Sequence, residues 1–286
     1  MKLLLKSGDK VGIIACSNGL DEKISIKIKA LEEKLTSINV DMVYAKTLYK
    51  KYSVFSGSNK ERADSLMELF LNPSVKAIFD VSGGDLANGV LDYLDFDKIK
   101  ENSKPFFGYS DLSVLLNSLY KKSQIKTYHY QLRNLVSEYG EKQFIDFKNT
   151  FIKGENSLLD FKYNFIQGNS MEGILIGGNI RCLLKLAGTE YMPDFKNKIL
   201  FLESLSGDVA KITTFLTQYK QLGILKEVKG ILLGTFTEME RENYSPNIID
   251  ILKDILDDPN IPIAKTNEIG HSGNSKALII GQFIKL

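Results

Sequence analysis

The segment PFFGYSDLSVLLNSLY, residues 105–120, contains a complete strand–turn–helix pattern. A short apolar run ends at Gly108, and Ser110 and Asp111 follow it. Leucines then recur at helical spacing, at Leu112, Leu115, Leu116 and Leu119. The pattern predicts a strand, a sharp turn and a helix beginning near the serine.

A serine at such a turn lies where the strand stops and the first helical N–H groups begin. Those groups have no partner within the helix, and the helix dipole adds positive potential. An oxyanion on an acyl group attached to Ser110 could be held there, notably by the N–H of Asp111. This is the physics of a nucleophile elbow, although the sequence is not G-x-S-x-G. Helix capping by Ser110 or Asp111 stays open as the simpler interpretation.

Strands alternate with helical patterns on both sides of this segment. Residues 10–16, 40–44 and 75–81 are apolar, β-rich runs separated by stretches of helical periodicity. Alternation of this kind predicts an α/β fold with a parallel, doubly wound sheet. The pattern weakens at residues 153–168, which carry Gly, Asn and Ser, and a domain boundary is predicted there.

Ligands of a doubly wound sheet bind outside the carboxyl ends of its strands. Gly83 and Gly84 follow one predicted strand and would lie at that edge with Ser110. Two glycines permit a tight turn with positive φ, or they let backbone N–H groups approach a ligand. The spacing is not G-x-G-x-x-G, so no dinucleotide site is predicted. A later turn, Gly178-Asn179, either holds a substrate group or caps the helix after it.

The composition limits the possible functions. The chain has 286 residues, 43% hydrophobic and 25% charged, as in ordinary globular proteins. A net charge of +2 without basic blocks gives no indication of nucleic-acid binding. Two cysteines make neither a disulfide framework nor a metal cluster. With no signal peptide or membrane-spanning stretch recognisable, a cytoplasmic protein is expected.

Two further residues complete a nucleophilic set. Glu203 ends an apolar strand, and His271, one of only 2 histidines, lies in a loop of small residues. A serine hydroxyl needs a base to take its proton, and imidazole suits that role near neutral pH. A carboxylate on the other ring nitrogen fixes the tautomer. Ser, Glu and His in this chain order predict a catalytic triad of Ser110, Glu203 and His271.

At these residues the chain resembles the LD-carboxypeptidase family of serine peptidases, which includes the microcin-C self-immunity peptidases. The resemblance covers most of the chain. Six pieces in the right order carry it: Val11-Gly-Ile-Ile-Ala15, Gly83-Gly84, Phe107-Gly-Tyr-Ser-Asp111, Gly177-Gly-Asn179 with Gly188-Thr189, Ile199-Leu-Phe-Leu-Glu203 and Gly270-His271.

The resemblance assigns roles to particular residues. It implies that Ser110 is the nucleophile, with Glu203 and His271 completing the triad. It places the oxyanion hole at the N–H of Asp111 and of Gly83 or Gly84.

The resemblance also implies an architecture and a mode of action. An N-terminal α/β domain, residues 1–155, would carry the nucleophile. A smaller β-rich domain, residues 168–286, would carry the other two triad residues. The family acts on small peptides or peptidyl-nucleotides without metal or cofactor and is commonly dimeric, so a homodimer is expected.

Three departures from the family pattern bear on the substrate. The cell-wall enzymes of the family carry Arg-Gly-Gly-Tyr-Gly at the glycine turn. This chain has Ser82-Gly-Gly-Asp85 there, which is more similar to the microcin branch. Asp85 would bind a substrate ammonium or cap the next helix. The family's His-Gly-Pro appears as His129-Tyr130-Gln131, leaving His129 without an assigned role. The chain has no tryptophan, so any aromatic stacking on substrate would use residues near 161–165.

The sequence therefore predicts a serine carboxypeptidase that removes D-alanine from a murein tetrapeptide, as in peptidoglycan recycling. The first alternative is hydrolysis of a toxic aminoacyl-nucleotide analogue, which is microcin self-immunity. The second alternative is a non-catalytic ligand-binding protein on the same scaffold, which glycine-rich turns at strand ends would serve equally well.

Overall fold

A computed structural model describes residues 4–286; residues 1–3, at the start of the predicted first domain, lie outside it. Within the described residues two six-stranded sheets are present. The strands are β1 (Lys10–Ile14), β2 (Asp41–Tyr44), β3 (Val75–Asp80), β4 (Phe106–Gly108), β5 (Thr127–His129), β6 (Asn164–Gln167), β7 (Glu172–Asn179), β8 (Lys198–Ser204), β9 (Gly230–Phe236), β10 (Ile263–Lys265), β11 (Leu278–Ile280) and β12 (Phe283–Lys285).

Both sheets are built around parallel strands. The first has the order β11-β5-β4-β3-β1-β2, with β11 as its antiparallel edge. The second has the order β12-β7-β8-β9-β10-β6, with antiparallel strands at both edges. The predicted α/β class is confirmed.

The helices occupy the connections between the strands. They are α1 (Ser25–Thr36), α2 (Asn59–Leu71), α3 (Phe96–Glu101), α4 (Ser113–Ser123), α5 (Gly140–Phe147), α6 (Ile180–Leu183), α7 (Val209–Gln221), α8 (Ile224–Glu227), α9 (Thr237–Arg241) and α10 (Ile248–Leu256). Short 3-10 turns include Ala87–Tyr93, Ser110–Leu112, Leu132–Val136 and Leu184–Leu186. No helix within residues 4–286 combines the length and apolar character needed to cross a bilayer.

The first sheet is buried on both faces, which explains its apolar strands. Ile78 and Phe106 belong to one hydrophobic core, whereas their neighbours Phe79 and Phe107 belong to another. Successive side chains of a strand point to opposite faces, so each core covers one face of the sheet. This is the doubly wound arrangement that the sequence predicts.

One of these cores is shared by the two sheets. It contains Leu115 and Leu119 of α4 together with Ile176 of β7 and Leu200 of β8. The chain also crosses between the sheets near its end, since β11 pairs in the first sheet and β12 in the second. The helix after the predicted nucleophile is thus packed at the junction of the two halves.

Candidate active site

The strand–turn–helix segment forms a sharp elbow with Ser110 at its apex. Tyr109 is fully extended, and Ser110 has a φ of 57°, in the left-handed region that non-glycine residues rarely adopt. Gly108 permits the turn, because a Cβ there would lie 2.7 Å from the Cβ of Leu112. Neither helical segment that follows is capped by a side chain. The capping interpretation of Ser110 and Asp111 is therefore wrong for their own helix.

Glu203 and His271 form a buried hydrogen-bonded pair. Nδ1 of His271 lies 2.6 Å from Oε2 of Glu203, and both side chains are at most 3% exposed. A carboxylate only accepts hydrogen bonds, so Nδ1 carries a proton and Nε2 is the nitrogen left to face a serine hydroxyl. Imidazole with Nδ1 held in this way is arranged as a general base.

The ring of His271 also reaches the elbow. It lies against the ring of Tyr109, with 4.6 Å between centroids, so the residue next to Ser110 contacts the base. Nε2 of His271 is buried without a hydrogen-bond partner among residues 4–286, and no hydrogen bond joins it to Ser110 here. Catalytic hydrogen bonds are often long in the absence of substrate. The predicted nucleophile therefore follows directly after a residue that contacts the Glu203–His271 pair.

The charge of Glu203 is stabilised at this point. Burial alone would raise the pKa of Glu203, but the hydrogen-bonded His271 and the neighbouring His129 outweigh it and lower the pKa to about 2. Burial raises the pKa of the Tyr109 hydroxyl, which therefore stays neutral. The carboxylate of Glu203 is an anion at any pH near neutrality.

The predicted oxyanion donors lie at the same edge of the first sheet, because β3 and β4 are neighbours. Gly84 has a φ of 126° and packs against Asn18, whose N–H donates to the carbonyl of Gly83 at 3.2 Å. A Cβ on Gly83 would meet nothing within 4 Å, so this backbone is open to an approaching group. The N–H of Asp111 lies in the opening turn of the 3-10 segment, whose first N–H groups lack partners within the helix.

The side chain of Asp111 is a buried anchor for the elbow. One carboxylate oxygen accepts from Ser17 Oγ at 2.6 Å and from the N–H of Ala87 at 2.9 Å. The other accepts from Lys185 Nζ at 2.6 Å. Asp111 thus holds the strand ends of the first sheet and a lysine of the second half of the chain against the turn.

Asp85 makes ion pairs that the sequence did not predict. Its carboxylate pairs with Arg181 and lies 3.7 Å from Lys185. The hydrogen bond from Arg181 lowers the pKa of Asp85. The 3-10 turn that follows begins after Leu86 without a side-chain cap, so the capping interpretation is wrong. Contact with a substrate ammonium stays a prediction.

Gly178 and Asn179 join β7 to the nucleophile helix. The N–H of Asn179 donates to Ser113 Oγ at 2.8 Å, and a Cβ on Gly178 would lie 2.3 Å from that same oxygen. The Asn179 side chain accepts from the N–H of Cys182 and caps α6, as the capping alternative predicted. Their contact with substrate stays a prediction.

Sequence reasoning left His129 without a role. It lies at the end of β5 beside Gly108 of β4, is 2% exposed, and places Nε2 3.8 Å from Oε1 of Glu203. The available signal was its position at the carboxyl end of a strand next to the nucleophile strand.

Two other features lie apart from the triad. Phe161, Tyr163 and Phe165 pack on one another, and Phe161 lines a cavity of about 470 Å³ that no predicted site residue lines. Stacking of these rings on a substrate stays a prediction. Among residues 4–286, no group of three or more His, Cys, Asp or Glu side chains could hold a metal ion.

Comparison with known proteins identifies the family. The LD-carboxypeptidase N-terminal domain model matches residues 11–130, and the C-terminal domain model matches residues 172–286. These ranges include the elbow at Ser110, the glycine turn at Gly83-Gly84 and the pair of Glu203 and His271. The chain belongs to the LD-carboxypeptidase family, as predicted.

Individual relatives fall in two groups. A probable murein peptide carboxypeptidase of Bacillus subtilis is 28% identical, over 97% of this chain and 88% of the relative. The microcin C7 self-immunity protein MccF of Escherichia coli is 27% identical, over 97% and 90%. An MccF-like protein from Bacillus anthracis of known structure has a TM-score of 0.82 at 28% identity, covering 99% of this chain and 94% of that one. The chain thus belongs to a family of peptidases with both kinds of member.

Proposed function

We propose that this protein is a serine carboxypeptidase with Ser110 as nucleophile, His271 as general base and Glu203 as the carboxylate that orients it. The observation that carries the proposal is the buried 2.6 Å contact between His271 and Glu203 beside a strained serine turn. Such a pair has the chemistry that activates a serine hydroxyl.

The reaction follows from the positions of these groups. Nε2 of His271 takes the hydroxyl proton as Ser110 Oγ attacks the peptide carbonyl, and the imidazolium is stabilised by Glu203. The oxyanion is held by the N–H of Asp111 and of Gly83 or Gly84. Each such donor contributes about 3 kcal/mol to transition-state stabilisation. The imidazolium then protonates the leaving amine, and water hydrolyses the acyl-enzyme in the reverse sequence of proton transfers.

We take the substrate to be a murein tetrapeptide that loses its terminal D-alanine across an L,D bond. The name of the Bacillus subtilis relative supports this substrate class. An aminoacyl-nucleotide analogue is the second candidate, supported by the MccF relatives and by the Ser82-Gly-Gly-Asp85 turn. We further propose that the protein is a homodimer and acts in the cytoplasm. Sedimentation velocity measures the oligomeric state.

Mass spectrometry of the purified protein with murein tetrapeptide tests the substrate. We expect release of one alanine by the wild type, none by Ser110→Ala, and normal release by Ser118→Ala. Ser118 is the matched control because it lies on α4 and bonds only to the carbonyl of Val114. Absence of cleavage by the wild type would contradict the murein substrate, and hydrolysis of an aminoacyl-nucleotide analogue instead would establish the second candidate.

A further inference from the structure

The triad carboxylate has a second oxygen that the proposed mechanism leaves unused. Oε2 of Glu203 is bound by His271, whereas Oε1 is buried without a hydrogen-bond partner among residues 4–286. Nε2 of His129, also buried without a partner there, lies 3.8 Å away. A lone carboxylate oxygen and a lone ring nitrogen face each other in a closed space. Leaving such groups unpaired is unfavourable, and a shift of less than about 1 Å brings them to hydrogen-bond distance.

Mostly aromatic side chains surround this pair. The ring of His129 lies edge-on to Phe201, with 5.2 Å between centroids, and its other aromatic neighbour is Tyr109 at 6.4 Å. The titratable and charged groups around it are Glu203 on β8, His271 in its loop, Tyr109 after β4, Arg133 beside Tyr109, and Cys182 of α6 near Glu203. Water has little access, because His129 is 2% exposed and Glu203 is fully buried.

The two histidines approach Glu203 from different parts of the molecule. His129 ends β5 of the first sheet, Glu203 lies on β8 of the second, and His271 lies in the loop between β10 and β11. A carboxylate held through both oxygens cannot rotate, so Oε2 stays aimed at Nδ1 of His271. The orientation of the base would then depend on correct docking of the two sheets.

We propose that His129 is a positioning residue that donates a hydrogen bond from Nε2 to Oε1 of Glu203, so that the carboxylate is clamped between two histidines. His129 acts through Glu203 and does not touch the substrate. The kinetic part of this inference rests on the proposed function, whereas the contact itself does not.

Two substitutions separate positioning from packing. His129→Phe keeps a ring of similar size but removes the donor, and His129→Gln places an amide N–H near the position of Nε2. We expect kcat to fall by about 10- to 100-fold in His129→Phe with KM little changed, as for loss of other outer hydrogen-bond partners. His129→Gln should recover most of kcat. Equal loss in both variants, or no loss in either, would overturn the inference.

The pH profile gives a readout that packing alone would not move. The acid limb of the kcat profile reports protonation of the base that Glu203 orients. Without the donor on Oε1 the carboxylate becomes more basic and favours the protonated form of its imidazole partner, so the limb should shift to higher pH in His129→Phe and return in His129→Gln. A structural defect would lower the whole profile without moving that limb, and such a result would contradict the proposed role.

Nuclear magnetic resonance tests the contact independently of activity. The chain has only 2 histidines, so the imidazole signals of His129 can be assigned by comparison with His129→Phe. We expect Glu203→Gln to shift those signals, whereas Glu172→Gln, an exposed change at the start of β7, should not. Unshifted signals would overturn the clamp even in an active enzyme. A shifted signal in a protein without peptidase activity would uphold the clamp and refute the proposed function instead.

Discussion

Ser110 is held in a conformation that its side chain disfavours. A non-glycine residue with a φ of 57° is strained by about 1 kcal/mol, and the strain persists only because the strand before it and the helix after it are firmly packed. The turn places Ser110 directly after Tyr109, whose ring contacts the ring of His271. Strain at this residue is the structural counterpart of its predicted reactivity.

Comparison of Ser110→Gly with Ser110→Ala measures that strain. Both variants remove the hydroxyl and should be inactive, but only glycine adopts a positive φ freely. We expect the free energy of unfolding in urea to be higher for Ser110→Gly by about 1 kcal/mol. Equal stability of the two variants would show that the elbow is not strained.

Glu203 makes part of the stability depend on pH. Its pKa is lower in the folded than in the unfolded chain, where a glutamate titrates near about 4.3. Its contribution is therefore complete above that value and is lost as the pH falls towards the folded pKa. We expect the stability difference between wild type and Glu203→Gln to shrink between about pH 5 and about pH 2 in urea titrations. A difference that stays constant over this range would contradict the assignment.

The candidate triad residues were easier to select from the sequence than the residues that contact them. Ser110, Glu203 and His271 each follow a recognisable signal, namely a turn, a strand end and a glycine loop. His129 also ends a strand, but its contact with Glu203 joins two sheets and is not visible in either segment alone. The pairing of Asp85 with Arg181 was missed for the same reason, since the two residues are far apart in the chain.

At the scale of elements, α4 connects the nucleophile to the second sheet. Asn117, fully buried on this helix, donates to the carbonyl of Gly177 and accepts from its N–H, both at 2.9 Å. At Gly177 the amide of Asn117 therefore makes the two hydrogen bonds that a neighbouring strand would otherwise make with β7. It thereby ties the second sheet to the helix that begins just after Ser110.

Replacing the Asn117 amide should weaken the connection between α4 and β7. Asn117→Ala leaves the N–H and the carbonyl of Gly177 without these partners, so we expect the free energy of unfolding to fall by about 3 kcal/mol. Ser118→Ala on the same helix removes only a local bond and should cost less than about 1 kcal/mol. Denaturant unfolding monitored by circular dichroism compares the two. Similar losses of unfolding free energy in the two variants would mean that the Asn117 amide does not stabilise the contact between α4 and β7.

The predictable elements are those with strong periodicity. Leucine spacing reveals α4, and unbroken apolar runs reveal β1 and β3, because both faces of the first sheet are buried. β11 has only three residues and pairs with β5 from far along the chain. β6 is half-exposed, lies inside the predicted linker and pairs with β10. Pairings of this kind depend on tertiary contacts, so short segments do not encode them.

At the scale of the whole molecule, ion pairs link the two halves beside the site. Fully buried Asp111 binds Lys185, which is 18% exposed, whereas the neighbouring pair of Asp85 and Arg181 is largely exposed. A buried charge that loses its partner is costly, but an exposed pair contributes little. The stability of the junction therefore depends more on the buried pair of Asp111 and Lys185.

Substitution of the two cations by methionine tests this difference. Lys185→Met should lower the free energy of unfolding by about 2–3 kcal/mol and also impair catalysis, because Asp111 anchors the elbow. Arg181→Met should lower it by less than about 1 kcal/mol. Urea unfolding measures the free energy of both variants. Equal losses would contradict a larger contribution from the Asp111–Lys185 pair.

The central claim is that His271 activates Ser110, and labelling by a fluorophosphonate probe tests it most directly. Intact-mass and peptide-mapping spectra should show one adduct on Ser110 in the wild type and none in Ser110→Ala. The labelling rate should fall by at least about 100-fold in His271→Ala, since the base is then absent. Labelling of His271→Ala at the wild-type rate, or no adduct on Ser110 in the wild type, would contradict the triad.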